Sequence, residues 1–221
     1  MRYSKDLSLV RKKILKSIQN TDSGHLGPSF SCTEILFVIL KKYINFKNNN
    51  RNKIILSKGH AAPAIYAIFD YLKLLKKNEL NTLRKFSSRL QGHPDKKKLK
   101  LLDFGTGALG QGLSVSIGYA HSSKLLNKKN FIFCVLGDGE LQEGQVWESA
   151  MYIGSNNMKN IITFIDGNKF QNEFSIKETL KEVNLRGKWE SFGFKYIETD
   201  GHSTEKLEKI IKNITNYKYK K

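Results

Sequence analysis

At 221 residues, of which 39% are hydrophobic and 11% aromatic, the chain is long enough to bury the core of one substantial domain. No Pro/Gly/Ser-rich stretch divides it, so a single domain spanning 1–221 is expected. No apolar run approaches membrane-spanning length, which excludes a helical membrane protein. A formal charge of +18 taken alone would suggest nucleic-acid binding. The lysines, however, are scattered through every segment and the denser runs, such as Lys96-Lys97-Lys98 and Lys128-Lys129, are short. With no aromatic-basic stacking motif, a solvated basic surface and no nucleic-acid partner are expected.

In chain order, the start Met1-Arg2-Tyr3-Ser4-Lys5-Asp6 leads into an amphipathic segment, not the apolar core of a signal peptide. Leu7, Val10, Ile14, Leu15 and Ile18 form a stripe that predicts a helix to about Gln19. Residues 20–31 are polar and turn-rich, and 32–43 read as a buried helix. Lys53 to Leu56 is a short strand candidate, and Pro63 suits the first turn of a helix running to about Leu75. Short helices are expected over 78–86 and 180–192, and a longer one over 109–126 with Leu113, Val115, Ile117, Ala120 and Leu125 inward. A strand is expected over Phe194 to Thr199, and a last helix over 203–217, capped near Ser203. Cys32 and Cys134 sit in apolar surroundings and are too few for a disulfide framework, so buried thiols in a reducing cytoplasm are expected.

Two further strands carry the chemistry. The runs Phe131-Ile132-Phe133-Cys134-Val135-Leu136 and Ile161-Ile162-Thr163-Phe164-Ile165 are short, β-branched and aromatic, as buried strands are. Between them, Gln145 to Tyr152 has helical character, with Val146, Trp147, Ala150 and Met151 on its apolar face. This predicts a β-α-β unit with parallel neighbouring strands in an open, mainly parallel sheet with helices on both faces. Gly137-Asp138-Gly139-Glu140 follows the first strand and Asp166-Gly167-Asn168 the second, which puts Asp138 and Asn168 at adjacent carboxyl ends, where such sheets bind ligands. Asp138 and Asn168 offer hard oxygens, and the Phe170 carbonyl is a natural third, a set that suits Mg²⁺ held together with a diphosphate. Gly137 and Gly139 would let a phosphate approach the backbone, and the following helix would offer its N-terminal amides. Either turn alone is also an ordinary strand exit; the pair, 168 − 138 = 30 residues apart with a helix between, is far more specific.

That spacing is the thiamine diphosphate motif, and the surrounding text resembles the transketolase family. The matching blocks are Ser23-Gly24-His25-Leu26-Gly27, Leu56-Ser57-Lys58-Gly59-His60-Ala61, Gln91-Gly92-His93-Pro94-Asp95, Thr106-Gly107-Ala108-Leu109-Gly110-Gln111-Gly112, and Gly137 through Glu148. Their order and spacing agree with the family from about Leu9 to about His202. The fold this implies is the diphosphate-binding domain of a thiamine diphosphate enzyme, here resembling the amino-terminal subunit of a split transketolase.

The resemblance also implies roles. His60 lies near the cofactor diphosphate and the substrate, and His25 and His93 line the sugar channel. The backbone around Gly107 reaches the aminopyrimidine, with Leu109 packed beside it. Glu143 faces its own copy across a dimer; for the residues alone, it is a favourable charge at a helix N-terminus. Asp200-Gly201-His202 is a turn with at most a minor place at the pocket edge. The family's activating glutamate, aromatic ring pocket and phosphate-binding arginines belong to a further domain, and no block here matches them. The implied function is therefore Mg²⁺- and thiamine diphosphate-dependent ketol transfer between sugar phosphates in the pentose phosphate pathway, performed with a carboxyl-terminal subunit in an α₂β₂ assembly. Alternatives are another thiamine enzyme, such as deoxyxylulose-phosphate synthase or the α chain of a 2-oxoacid dehydrogenase, or a non-catalytic remnant, which the expected loss of a final strand would favour.

Overall fold

The computed structural model describes residues 3–171, 174–180 and 184–217. In chain order they form helix α1 (Ser4–Gln19), α2 (Leu26–Ser31), α3 (Thr33–Val38), strand β1 (Lys53–Leu56), α4 (Ala62–Tyr71), α5 (Gln111–Leu125), β2 (Ile132–Gly137), α6 (Gly144–Ser155), β3 (Ile161–Asp166), the short strands β4 (Phe170–Gln171) and β5 (Phe174–Ser175), α7 (Ile176–Thr179), α8 (Leu185–Ser191) and α9 (Thr204–Tyr217). β1, β2 and β3 make a parallel sheet in that order, with β2 central. Its register sets Ile54 against Phe133 and Phe133 against Ile162.

Alternation along these strands builds two cores. Ile54, Leu56, Phe133, Val135 and Ile162 join residues of α1, α3, α4 and α9. Ile55, Ile132, Cys134, Leu136 and Ile161 join α5, α6 and Trp189 of α8. A side-chain period of two sends successive residues to opposite faces, so both faces of the sheet are covered by helices, which is why its strands read as continuous apolar runs. The expected open parallel α/β architecture is the one observed. Both cysteines are buried, and burial pushes the Cys32 thiol up to about 12, so it is an inert core residue at neutral pH. No helix among the described residues is long and apolar enough to cross a membrane.

Several local expectations are corrected. Residues 26–31 are helical, not loop: the Ser29 hydroxyl donates to the His25 carbonyl at 2.7 Å, and Pro28 is tolerated because it lies in the first turn. The helix expected over 32–43 is a short α-helix continued by a π-turn, Ile39–Tyr43. The segment 78–86 holds only a 3₁₀ turn, Glu79–Thr82, and α4 stops at Tyr71. Leu125 and Met151, expected inward, are exposed.

The segment 194–199 is not a strand, because its backbone enters no ladder among the described residues. Its alternating aromatics pack instead: Phe194 meets Trp189 edge-on at 4.9 Å, and Arg186 lies over Tyr196 at 4.9 Å. Of the helix expected over 180–192, residues 181–183 lie outside the described residues and 185–191 are helical.

Candidate functional site

The tips of β2 and β3 meet as the spacing predicts. Gly137 is in register with Asp166, and the Asp138 amide donates to the Asp166 carbonyl at 3.3 Å. Asp138, itself buried, ties the two tips together. Its Oδ1 accepts from the Gly139 amide at 2.9 Å and its Oδ2 from the Lys169 amide at 2.5 Å. Asn168 Oδ1 accepts from the Phe170 amide at 2.9 Å, a local turn that fixes the amide oxygen. The Lys169 amide thus holds the 168–170 turn beside Asp138. A carboxylate oxygen has room for a second partner beyond one N–H, so the donor set fits a hard divalent cation with oxygen ligands. Burial raises the Asp138 pKa, against the pull of the Lys169 and Gly139 amides.

The glycine expectation is refined. A Cβ on Gly137 would meet nothing closer than 3.8 Å, whereas one on Gly139 would come within 2.8 Å of the Gln171 Cβ. Gly139 is therefore needed so that β4 can pack on the strand tip, whereas a Cβ on the buried Gly137 would meet Lys58 and Glu140 at ordinary contact distance. The amides of these glycines are already engaged, Gly139 by Asp138 and Gly137 by Glu140 Oε2 at 3.0 Å. A 3₁₀ turn, Gly139–Gln142, separates the tip from α6, so the helix N-terminus does not follow Asp138 directly.

Three residues carry the site's internal framework: Glu140, which the resemblance put beside the metal site without a ligand role, and Lys58 and Asp166, to which the sequence gave no such place. Glu140, 2% exposed, accepts from the Ser57 hydroxyl, from the Gly110 amide at 2.7 Å and from the Gly137 amide. Lys58, 1% exposed, donates to Asp166 Oδ2, whose Oδ1 takes the Ser31 hydroxyl at 2.6 Å. A buried lysine and a buried aspartate are legible only once β1 and β3 are known to face the same end of the sheet. Replacing Lys58 by methionine leaves the Asp166 carboxylate buried with only a hydroxyl partner, and is expected to destabilise the chain by about 3–5 kcal/mol, read by urea unfolding.

The three histidines converge at the same end. His25 and His60 are edge to face at 5.6 Å between ring centres, and the Gly107 α-carbon lies under His93, where a Cβ would come within 3.6 Å of the ring. Burial, then the Lys58 ammonium and the other two histidines, pushes the His60 pKa down to about 4. His93, more open to solvent, is lowered in the same direction by partial burial, the Arg84 guanidinium and His25. His60 is therefore a neutral imidazole at physiological pH, able to donate and accept. The unfolded chain takes up a proton on this residue near pH ~6.5, and the folded chain only near pH 4. The His60 contribution to stability is thus complete above pH ~6.5 and lost as pH falls toward 4. An NMR titration of the His60 ring checks this; a midpoint near 6.5 in the folded chain would contradict it.

Leu109 is half-buried, and its carbonyl accepts from Gln145 Nε2 at 2.9 Å. Gly110 takes a left-handed φ of +81°, and a Cβ there would strike Glu143. Glu143 is the exposed N-cap of α6, beside the glycine turn and not on the Asp138 side of the 3₁₀ turn. Asp200-Gly201-His202 is a turn, as expected, and His202 Nδ1 lies 3.1 Å from Glu34.

An open parallel sheet with hard oxygen donors on two adjacent strand tips and a cluster of imidazoles beside them defines a ligand-binding α/β domain. The chain belongs to the transketolase family: residues 4–221 match the domain described as "Transketolase, thiamine diphosphate binding domain". It is 32% identical over 209 residues to the 6-deoxy-6-sulfo-D-fructose transketolase subunit SqwG of Clostridium sp. (strain MSTE9), covering 92% of this chain and 76% of that one. It is 30% identical over 209 residues to one of the subunits of the apulose-4-phosphate transketolase of Phocaeicola vulgatus, covering 92% and 74%. Human transketolase is 37% identical over 207 residues, but the chain spans only 33% of its length. The solved transketolase of Campylobacter jejuni superposes with a TM-score of 0.87 at 27% identity, over 95% of this chain and 35% of that one.

Proposed function

We propose that this chain is the cofactor-binding subunit of a two-chain transketolase. It binds Mg²⁺ through Asp138, Asn168 and the Phe170 carbonyl, and thiamine diphosphate through the metal and the surrounding loops. With a carboxyl-terminal partner, in an α₂β₂ assembly in the cytoplasm, it moves a two-carbon ketol unit from a ketose phosphate to an aldose phosphate, the chemistry of the pentose phosphate pathway. The observation that carries this reading is the meeting of Asp138 with the 168–170 turn, fixed by the Lys169 amide on the Asp138 carboxylate. Two relatives that are themselves named as transketolase subunits, and are matched over about three quarters of their length, support the division between chains.

The cofactor, when bound, supplies the nucleophilic and electron-accepting chemistry. The chain's own residues hold and orient. Asp138 and Asn168 fix the cation, Glu140 fixes the loops of Gly110 and Gly137 that flank it, and the buried Lys58–Asp166 ion pair joins the end of β3 to the turn after β1 beneath the site. His60, His25 and His93 present ring nitrogens to sugar hydroxyls, where they can donate and accept hydrogen bonds and exchange protons.

The test is to mix the purified chain with its carboxyl-terminal partner and follow transfer from xylulose 5-phosphate to ribose 5-phosphate. Transfer by the mixture and none by this chain alone is expected. Transfer by this chain alone, or none by the mixture with Mg²⁺ and cofactor present, would overturn the reading.

A further inference from the structure

Arg84 lies outside every motif and yet joins two of the histidine turns. Its backbone is left-handed, with φ 59°, a conformation an arginine adopts only when its surroundings fix it. Its amide donates to the Leu90 carbonyl at 2.8 Å, which closes the loop 84–90 just before His93. The guanidinium sits on the open face of Gly92: a Cβ there would lie 2.7 Å from Cζ and 3.0 Å from Nε and Nη2. From that seat Nη1 donates to the Ser23 hydroxyl at 3.1 Å. Ser23 stands two residues before His25, and Gly92 one residue before His93. Arg84 Nε is buried and meets no acceptor among the described residues, so within them the group is held by shape and by the Ser23 contact.

We propose that Arg84 is a positioning residue of the sugar channel, a clamp that holds the His25 and His93 turns at a fixed separation so that both imidazoles meet one substrate. This rests on the proposed contact of these histidines with the sugar. A planar fork is needed for it: one face covers Gly92 while an edge reaches Ser23, which a lysine ammonium cannot do. The guanidinium also leaves a mark on His93: after partial burial it is the next cause that lowers that imidazole's pKa. The other titratable groups around His93 are His25, His60, the Tyr66 hydroxyl, which lies 3.4 Å from the His93 carbonyl, and Asp95 two residues on.

The experiment compares Arg84→Met, Arg84→Lys and Gly92→Ala. Gly92→Ala leaves the arginine in place and only displaces its flexible end, so it tests the clamp in a chain that keeps its charge. With the partner chain present, Arg84→Met and Gly92→Ala are expected to raise KM for the ketose donor about tenfold with kcat changed less, because misplaced contacts weaken a bound geometry, and Arg84→Lys is expected not to restore it. In the chain alone, the His93 ring should titrate at higher pH in Arg84→Met and Gly92→Ala than in the parent, with Arg84→Lys between them. KM values within about twofold of the parent in all three variants overturn the proposal. Should the parent mixture show no ketol transfer, the functional reading fails separately, and an unshifted His93 titration in Arg84→Met and Gly92→Ala then overturns the clamp on its own.

Discussion

Replacing Asp138 by asparagine is expected to weaken Mg²⁺-dependent binding of thiamine diphosphate by at least about 100-fold. Removing even the groups that orient metal ligands costs about 10–100-fold, and Asp138 is a proposed ligand. Asparagine keeps the shape and one acceptor oxygen, so the fold should survive. One of the two amides that Asp138 now serves, Gly139 or Lys169, would face an NH₂ group, at a cost of about 1–2 kcal/mol. Calorimetric titration of the cofactor into the assembled enzyme, with Mg²⁺ and with a chelator, separates the two effects. In the parent, affinity should depend on the metal; in Asp138→Asn, what affinity remains should be nearly the same with and without it. Parent-like, metal-dependent affinity in the variant would remove Asp138 from the metal site.

The second large effect concerns stability. Glu140 gathers three chain segments that are remote in sequence: Ser57 after β1, Gly110 before α5 and Gly137 at the end of β2. Truncation to alanine leaves one hydroxyl and two backbone N–H groups buried without an acceptor, at roughly 1–3 kcal/mol each. Because the three share one network their costs do not simply add, and a loss of about 4 kcal/mol is expected in urea unfolding. Glu140→Gln keeps an acceptor for part of the network and should lose less. A loss below about 1 kcal/mol for the alanine variant, the range of ordinary surface substitutions, would contradict this place for Glu140. The two variants separate two kinds of acid: Asp138→Asn is expected to lose the metal and keep most of the fold, and Glu140→Ala to lose the fold first.

What the sequence disclosed and what it hid follow one physical line. β2 and β3 are legible because strands covered on both faces are apolar throughout, and a Gly-Asp-Gly turn then locates their ends. From those two facts the nearness of Asp138 and Asn168 is a matter of register. His25, His60 and His93 sit in glycine turns that alone suggest only solvated residues; the family resemblance of the blocks around them singled them out, and the structure brings them to the same end of the sheet. By contrast, Lys58 and Glu140 look like ordinary charged residues in turns. Their burial depends on β1 being the neighbour of β2, which no local pattern encodes. The segment 194–199 alternates like a strand, yet alternation reports only which side chains are covered; Phe194 is covered by Trp189, and no neighbouring backbone among the described residues pairs with it. The loop holding Arg84 was hidden for another reason. Its left-handed arginine defies propensity, and only the seat on Gly92 explains it.

The claim on which the rest depends is that two adjacent strand tips grip a cation that in turn holds a diphosphate. A crystal structure of the chain with its partner, Mg²⁺ and thiamine diphosphate tests it most directly. The account predicts one ion with Asp138, Asn168 and the Phe170 carbonyl as ligands at about 2.0–2.1 Å, completed by diphosphate oxygens. A cofactor bound with its diphosphate elsewhere, or an ion that leaves Asp138 and Asn168 unliganded, would contradict it.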